Sequence, residues 1–283
     1  MKIFITGATG FIGRYVLNYA IEKSYDLVVL RRKKPRYENY DLKNKIKWIY
    51  KSVDLIKPSD LEGVDVLIHM AAAGVSPKVA SSKNLYYINV YSTLKIMDSA
   101  RLAGVKKTII TGSYAEYGIT ANHYKFIPAK APLQPITPYA ASKAAAYCIA
   151  TAYALEHNMN LSYLRIFSAY GDGQYKNNFW PLLKKSALSG KDFKMTSGDQ
   201  IRDFIYVGNV AEEILKIVES SFLESKRVSI QNIGSGNPMS IASFAEIWWN
   251  RFEAKGDLVK GVIPYRENEI MRYAPQLKTD FLN

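Results

Sequence analysis

Apolar residues recur along this chain in two rhythms. Short runs rich in β-branched and other apolar residues stand at 2–6 (KIFIT), 27–31 (LVVLR), 46–50 (IKWIY), 65–70 (DVLIHM), 107–111 (KTIIT) and 161–167 (LSYLRIF). Runs of this length fit strands covered on both faces. Longer stretches near 11–23, 80–103 and 138–157 fall between them and read as helices. Strands alternating with helices predict an α/β fold, a doubly wound parallel sheet with helices on both faces. After Phe167 the rhythm loosens into a Gly/Asn/Gln-rich stretch, 171–178. A second set follows, with helices near 180–189, 208–221 and 241–254 and strands near 204–207 and 228–233. The expected organisation is a large lobe over 1–167, rejoined by 203–228, and a smaller, sequence-discontinuous C-terminal lobe made of 168–202 and 229–283.

The first run leads straight into TGATGFIG, with Gly7, Gly10 and Gly13 three apart. Glycines there allow a tight turn and bring backbone N–H groups close to a pyrophosphate at a helix N-terminus. Such a trio alone also marks ordinary turns. Placed directly after an N-terminal strand and opening an amphipathic helix, it predicts a Rossmann-type dinucleotide site. A second candidate is PYAASK, where Pro138 starts a helix that carries Tyr139 and Lys143 four apart on one face. An ammonium so placed is expected to lower the phenol from its ordinary pKa of about 10 and tune it for proton transfer with a carbonyl/alcohol pair. The same spacing occurs at Tyr19/Lys23 and Tyr91/Lys95, inside helices where packing is the default role. Only Tyr139 follows shortly after a strand that ends in a serine, Ser113. That serine falls on the edge where open parallel sheets bind ligands.

Composition narrows the field. The 283 residues carry a net charge of +13, which points to an anionic partner. The cations are scattered, and no finger, zipper or aromatic RNP-type motif accompanies them, so a phosphate-bearing small molecule is expected rather than nucleic acid. No apolar run approaches the roughly 18 residues of a membrane helix, so no membrane partner is expected. The spaced glycines are wrong for a signal peptide. A single cysteine, Cys148, excludes an intramolecular disulfide and fits a reducing, cytoplasmic setting. His69, His123 and His157 lie far apart in sequence, so no metal site is expected.

Together these segments resemble an extended short-chain dehydrogenase/reductase of the nucleotide-sugar epimerase/dehydratase/reductase group, over nearly the whole chain. The resemblance is carried by GATGFIG, HMAA (69–72), NVYSTLKIMDSA (89–100), GSYAEYG (112–118), YAASK (139–143), LRIFSAYGDGQ (164–174), IRDFIYVGNVA (201–211) and NIGSG (232–236). It implies that Ser113 and Tyr139 contact the reacting sugar hydroxyl or ketone, and that Lys143 binds the nicotinamide ribose. It implies further cofactor contacts at Gly7, Gly10, Phe11, Ile12, Gly13, Asp54, Leu55, Ala71, Ala72, Asn89 and Phe167. Substrate contacts follow at Ser168, Asn178, Phe179, Arg202 and Arg266, the two arginines near the nucleotide diphosphate. A homodimer through helices 80–103 and 138–157 is implied too. From Ala144 to Leu155 that second helix carries no charge on any face, so it is expected to be covered on more than one side.

Three departures sharpen the expectation. Ser168 stands where the family often has asparagine, and the final helix usual after a segment like LKTDFLN is missing. The 4,6-dehydratases of the group carry an Asp-Glu pair where this chain has Tyr114 and Ala115. Glu116 is one residue out of register and is expected to be a solvated or structural carboxylate. Dehydration thus lacks its acid/base pair.

The second strand ends in Arg31 and Arg32, with Lys33 and Lys34 behind them as a solvated basic loop. In a Rossmann lobe an acid at this place holds the ribose of NAD, whereas arginine accommodates the 2′-phosphate of NADP through bidentate contacts. NADP(H) is therefore favoured, with NAD(H) the alternative. The expected activity is reduction at C4 of a nucleotide-linked 4-keto-6-deoxyhexose, within surface-polysaccharide biosynthesis. The alternatives are an NAD-dependent nucleotide-sugar 4-epimerase and a non-catalytic dinucleotide-binding scaffold.

Overall fold

The computed structural model describes residues 1–34, 46–75, 80–220 and 228–282. Along the chain, β1 (Lys2–Thr6), α1 (Phe11–Glu22), β2 (Asp26–Arg31), β3 (Ile46–Tyr50) and β4 (Val66–His69) come first. They are followed by α2 (Ser82–Tyr86), α3 (Ser92–Leu102), β5 (Lys107–Ser113), α4 (Pro138–Glu156) and β6 (Leu161–Ile166). Then come β7 (Ser168–Tyr170), α5 (Phe179–Leu188), β8 (Phe193–Lys194), β9 (Ile201–Arg202), β10 (Phe204–Tyr206) and α6 (Val207–Glu219). The last elements are β11 (Val228–Ile233), β12 (Met239–Ser240), α7 (Ile241–Arg251), β13 (Leu258–Val259), β14 (Arg272–Tyr273) and β15 (Asp280–Leu282).

Eight strands form the large sheet, in the order β15-β11-β6-β5-β4-β1-β2-β3, parallel except for β15. The strand order reverses between β1 and β4, and open α/β sheets bind ligands in the crevice at such a switch point. The strands alternate their side chains between two apolar layers. Ile3 and Ile5 face Val16, Leu17, Ile214 and Leu215 of α1 and α6, while Phe4 and Val28 face Ile96 and Ala100 of α3. Ile110 and Tyr163 pack on Ala150 and Ala154 of α4. The doubly wound sheet expected from the sequence is what the chain forms.

Differences from the sequence reading have local causes. The strand expected at 107–111 runs on to Ser113 because β6 pairs with it through Ser113↔Ile166. The helix expected at 80–103 is broken by a π-helical turn, Tyr87–Tyr91. There the Ser92 hydroxyl donates to the Tyr87 carbonyl at 3.0 Å, a side-chain bond that spans five residues. β11 and β15 extend the large sheet, so residues 228–233 and 280–282 do not sit apart with the smaller lobe: β11 pairs in parallel with β6 along its whole length. Residue 221, the end of the helix expected at 208–221, lies outside the described residues.

The remaining short strands make three small sheets, β12-β9-β14, β13-β8 and β10-β7. Leu183 and Ala187 of α5, Met195, and Ala245 and Trp249 of α7 form a separate apolar cluster among them.

Candidate active site

The turn after β1 is shaped by backbone contact. Gly7 has φ +73°, and a Cβ on it would come within 2.6 Å of the Met70 carbonyl carbon; a Cβ on Gly13 would lie 2.1 Å from the Gly7 oxygen. Only glycine fits either place. Gly10 caps α1 without a side-chain acceptor. The first amides of that helix, including those of Phe11 and Ile12, have no intrahelical partner by construction and suit an anion. The turn is tied to the end of β4: the amides of Met70 and Ala71 both donate to Thr6 Oγ1, at 3.1 and 3.2 Å. Thr6 in turn meets His69 Nδ1 at 2.7 Å, and His69 Nε2 lies 3.0 Å from Thr93 Oγ1. Because the Thr93 hydroxyl donates to the Asn89 carbonyl, Nε2 must carry the ring proton, which fixes His69 as a neutral imidazole. Burial holds its pKa down to about 3.

Asn89 is buried in the π turn. Its side chain accepts from the Ala73 amide at 2.8 Å and donates to Ser142 Oγ at 2.9 Å, clamping the loop that carries Ala71 and Ala72 onto α4. Asp54 lies in a 3-10 turn after β3 and accepts from Ser52 and, at 2.8 Å, from Tyr87. Leu55 beside it is exposed. β2 runs parallel to β1 and ends at Arg31, on the same sheet edge as the glycine turn that follows β1. Arg31 is half-buried and Arg32 exposed, and neither guanidinium forms an ion pair or hydrogen bond among the described residues. The cradle of glycines and open amides fits the pyrophosphate of a dinucleotide.

The carboxyl end of β5 and the first turns of α4 bring Ser113, Tyr139 and Lys143 together. Thr137 caps α4 by accepting from the Ala140 amide at 3.2 Å, and Pro138 occupies its first position. The buried Lys143 Nζ donates to the Thr111 carbonyl at 2.6 Å. Burial raises the Tyr139 pKa above the usual tyrosine range; the Glu116 carboxylate and the Tyr114 phenol push it the same way, and the Ser113 hydroxyl opposes them. Burial also lowers the pKa of Lys143, with Glu116 working against it. This corrects the expectation that Lys143 lowers the tyrosine: its ammonium is spent on the Thr111 carbonyl rather than on the phenol.

Tyr114 follows Ser113 and leads into an aromatic wall. Its ring lies 5.5 Å from Phe167 and 4.7 Å from Tyr273, and Arg202 lies over Tyr273 at 5.2 Å. Arg202 is held by Glu269 at 2.9 Å and by the Ile270 carbonyl at 2.8 Å. Ser168 opens β7, Asn178 caps α5 with Phe179 as its first residue, and Arg266 is exposed on the segment before β14. Glu116 is fully buried against Arg165, which rejects its solvated alternative and leaves it structural. Cys148 is exposed on α4. Among the described residues, no cluster of metal-ligating side chains occurs and no helix is long and apolar enough to cross a membrane.

A model of the NAD dependent epimerase/dehydratase family matches residues 3–234. The chain belongs to that family. Its members are NAD-dependent enzymes acting on nucleotide sugars. Among its relatives is a dTDP-D-glucose 4,6-dehydratase of Mus musculus, 26% identical over 264 residues, an alignment covering 87% of this chain and 71% of the relative. Two solved structures share the fold. A UDP-N-acetylglucosamine 4-epimerase from Methanobrevibacter ruminantium M1, in complex with UDP-N-acetylmuramic acid, matches with TM-score 0.85, 23% identity and coverage of 98% and 89%. MoeE5 in complex with UDP-glucuronic acid and NAD matches with TM-score 0.84, 22% identity and coverage of 98% and 90%. Within this family member, the serine, tyrosine and lysine were readable in the sequence. The Thr6–His69–Thr93 relay, the Thr111 carbonyl and the Glu116–Arg165 pair were not, since each depends on which strands become neighbours.

Proposed function

We propose that the protein is an NADPH-dependent reductase of a nucleotide-linked 4-keto-6-deoxyhexose, acting at C4. The observation that carries the reading is the free pair Arg31 and Arg32 at the end of β2, beside the glycine turn. Two guanidiniums there suit a 2′-phosphate and replace the acid that would hold an unphosphorylated ribose. Dinucleotide bound in the cradle supplies the hydride. Ser113 orients the ketone by donating its hydroxyl, Tyr139 donates the proton to the C4 oxygen, and Lys143 binds the ribose. A phenol held protonated by burial suits a donor. Arg202 and Arg266 receive the diphosphate. Tyr114 and Ala115 leave no carboxylate pair for dehydration. One cysteine and NADPH chemistry suit a cytoplasmic enzyme.

The assembly proposed is a homodimer. The outer face of α4 presents Cys148, Ala152 and Leu155 to solvent, and Tyr87 and Tyr91 are exposed on the neighbouring π turn. The second reading, an NAD-retaining 4-epimerase, is favoured by the solved neighbours that are an epimerase or hold NAD. Dissociation constants for NADPH and NADH, measured on wild type and on an Arg31→Ala/Arg32→Ala variant, separate the two. Tighter NADPH binding that the variant loses supports reduction. Tighter NADH binding, or no loss in the variant, moves the epimerase ahead. A panel of nucleotide sugars offered with each dinucleotide then identifies the substrate.

A further inference from the structure

Glu116 and Arg165 are charged and fully buried, and the chemistry above gives them no part. Arg165 of β6 pairs with Gly112 of β5, so it stands one residue from Ser113 on the neighbouring strand. Its Nε donates to Glu116 Oε2 at 2.6 Å, with the side chains 1% and 0% exposed. The other carboxylate oxygen accepts from the Ser113 amide at 2.7 Å and from the Tyr163 hydroxyl at 2.9 Å. Arg165 is held in turn, donating to the Ala129 carbonyl at 2.8 Å with its guanidinium over the Tyr147 and Tyr117 rings at 4.3 and 5.0 Å. Gly112 leaves the room: a Cβ there would lie 2.6 Å from the carboxylate and 2.4 Å from the Tyr163 ring.

Burying an ion pair costs several kcal/mol per charge, and apolar replacements of such pairs are often neutral or stabilising. A cap on the Ser113 amide needs only a neutral acceptor. Stability alone therefore gives no reason for a full carboxylate beneath the catalytic serine. We propose that the Glu116–Arg165 pair is a positioning device of the active site, holding the Ser113 backbone from beneath and placing a carboxylate near Tyr139 and Lys143. This rests on the reductase reading, in which Tyr139 must begin each turnover protonated. Glu116 opposes ionisation of that phenol and favours the protonated form of the lysine against its burial. The groups facing the phenol are Ser113 at the end of β5, Glu116 and Tyr114 from the turn after it, and Tyr163 from β6; Lys143 of the same helix is turned to the Thr111 carbonyl, with His69 behind it. Arg165 neutralises the oxygen of Glu116 on the opposite side from Ser113.

Glu116→Gln keeps the shape of the cap and removes its charge, while Glu116→Gln/Arg165→Met removes the stranded cation as well. Both are read by kcat against pH for ketone reduction, by the dinucleotide Kd, and by NMR titration of Cζ-labelled tyrosine, with Tyr139 assigned by its loss in Tyr139→Phe. The expected result is that Tyr139 ionises at lower pH in both variants and that the alkaline limb of kcat moves down with it, at an unchanged dinucleotide Kd. Folded variants in which Tyr139 titrates as in wild type would overturn the proposal. A single variant that fails to fold leaves the double one to decide. Should wild type reduce no nucleotide-linked ketone, the reductase reading fails, and the NMR titration still decides on Glu116.

Discussion

Tyr139 carries its phenol where burial and the Glu116 carboxylate both oppose ionisation. In the proposed reduction that suits a proton donor rather than a resting base, and its removal has a defined signature. Tyr139→Phe is expected to lower kcat by about a hundredfold to ten-thousandfold, the span of general acid catalysis, while leaving dinucleotide Kd nearly unchanged. Wild-type kcat on the true substrate would remove Tyr139 from the mechanism. Lys143→Ala is expected to weaken both kcat and dinucleotide binding, because it also removes the 2.6 Å hydrogen bond to the Thr111 carbonyl and frees the first turns of α4 to shift. The residue types were legible in the sequence because tyrosine, lysine and serine each have few other reasons to gather behind a glycine turn. Their proton affinities were not. A spacing of four puts Lys143 on the face of Tyr139, yet the ammonium's partner is set by where β5 ends relative to α4, and the strongest field on the phenol comes from Glu116.

Elements decide what those residues can reach. The π turn at Tyr87–Tyr91 lets Asn89 point inward to Ala73 and Ser142 while Tyr87 reaches outward to Asp54. An unbroken helix over the same residues would shift the phase between the two. π-bulges favour functional sites for this reason, and hydrophobic periodicity does not reveal them. α4 was legible as a helix with apolar residues all round, and its open outer face follows from the sheet covering only the inner one. Ala152 sits on that open face. In the proposed homodimer, Ala152→Glu is expected to convert the dimer into a monomer, since it would bury an unpaired charge in the contact while leaving the monomer's core untouched. Sedimentation at micromolar concentration reads the outcome. A monomeric wild type, or a variant that still dimerises, would place any interface elsewhere.

On the scale of the whole molecule, alkaline pH tests how the fold holds its protons. Burial pushes the pKa of Tyr117 up from 10.0 to about 12, and burial with the Glu219 carboxylate does the same for Tyr25. Tyr163 and Tyr273 are raised in the same direction by burial. A group with a raised folded pKa contributes stability that is fully present below its unfolded value and lost as pH climbs through the folded one. These tyrosines therefore hold their contribution up to about pH 10 and lose it from there towards 12. Lys107 works the other way. Its ammonium is buried at the foot of β5, where it donates to the Ile217 carbonyl and to Ser220 at 3.0 Å near the end of α6. Burial lowers its pKa from 10.5 to about 8, so the charged form weakens the fold and the loss is relieved as pH rises between those values. Denaturant midpoints measured across pH 7 to 12 are expected to rise above pH 8 and fall beyond pH 10. Lys107→Met, which cannot titrate, is expected to flatten the rise and keep the fall. A variant whose profile climbs as steeply as wild type would assign the rise to the shrinking net charge of +13 instead of to this lysine.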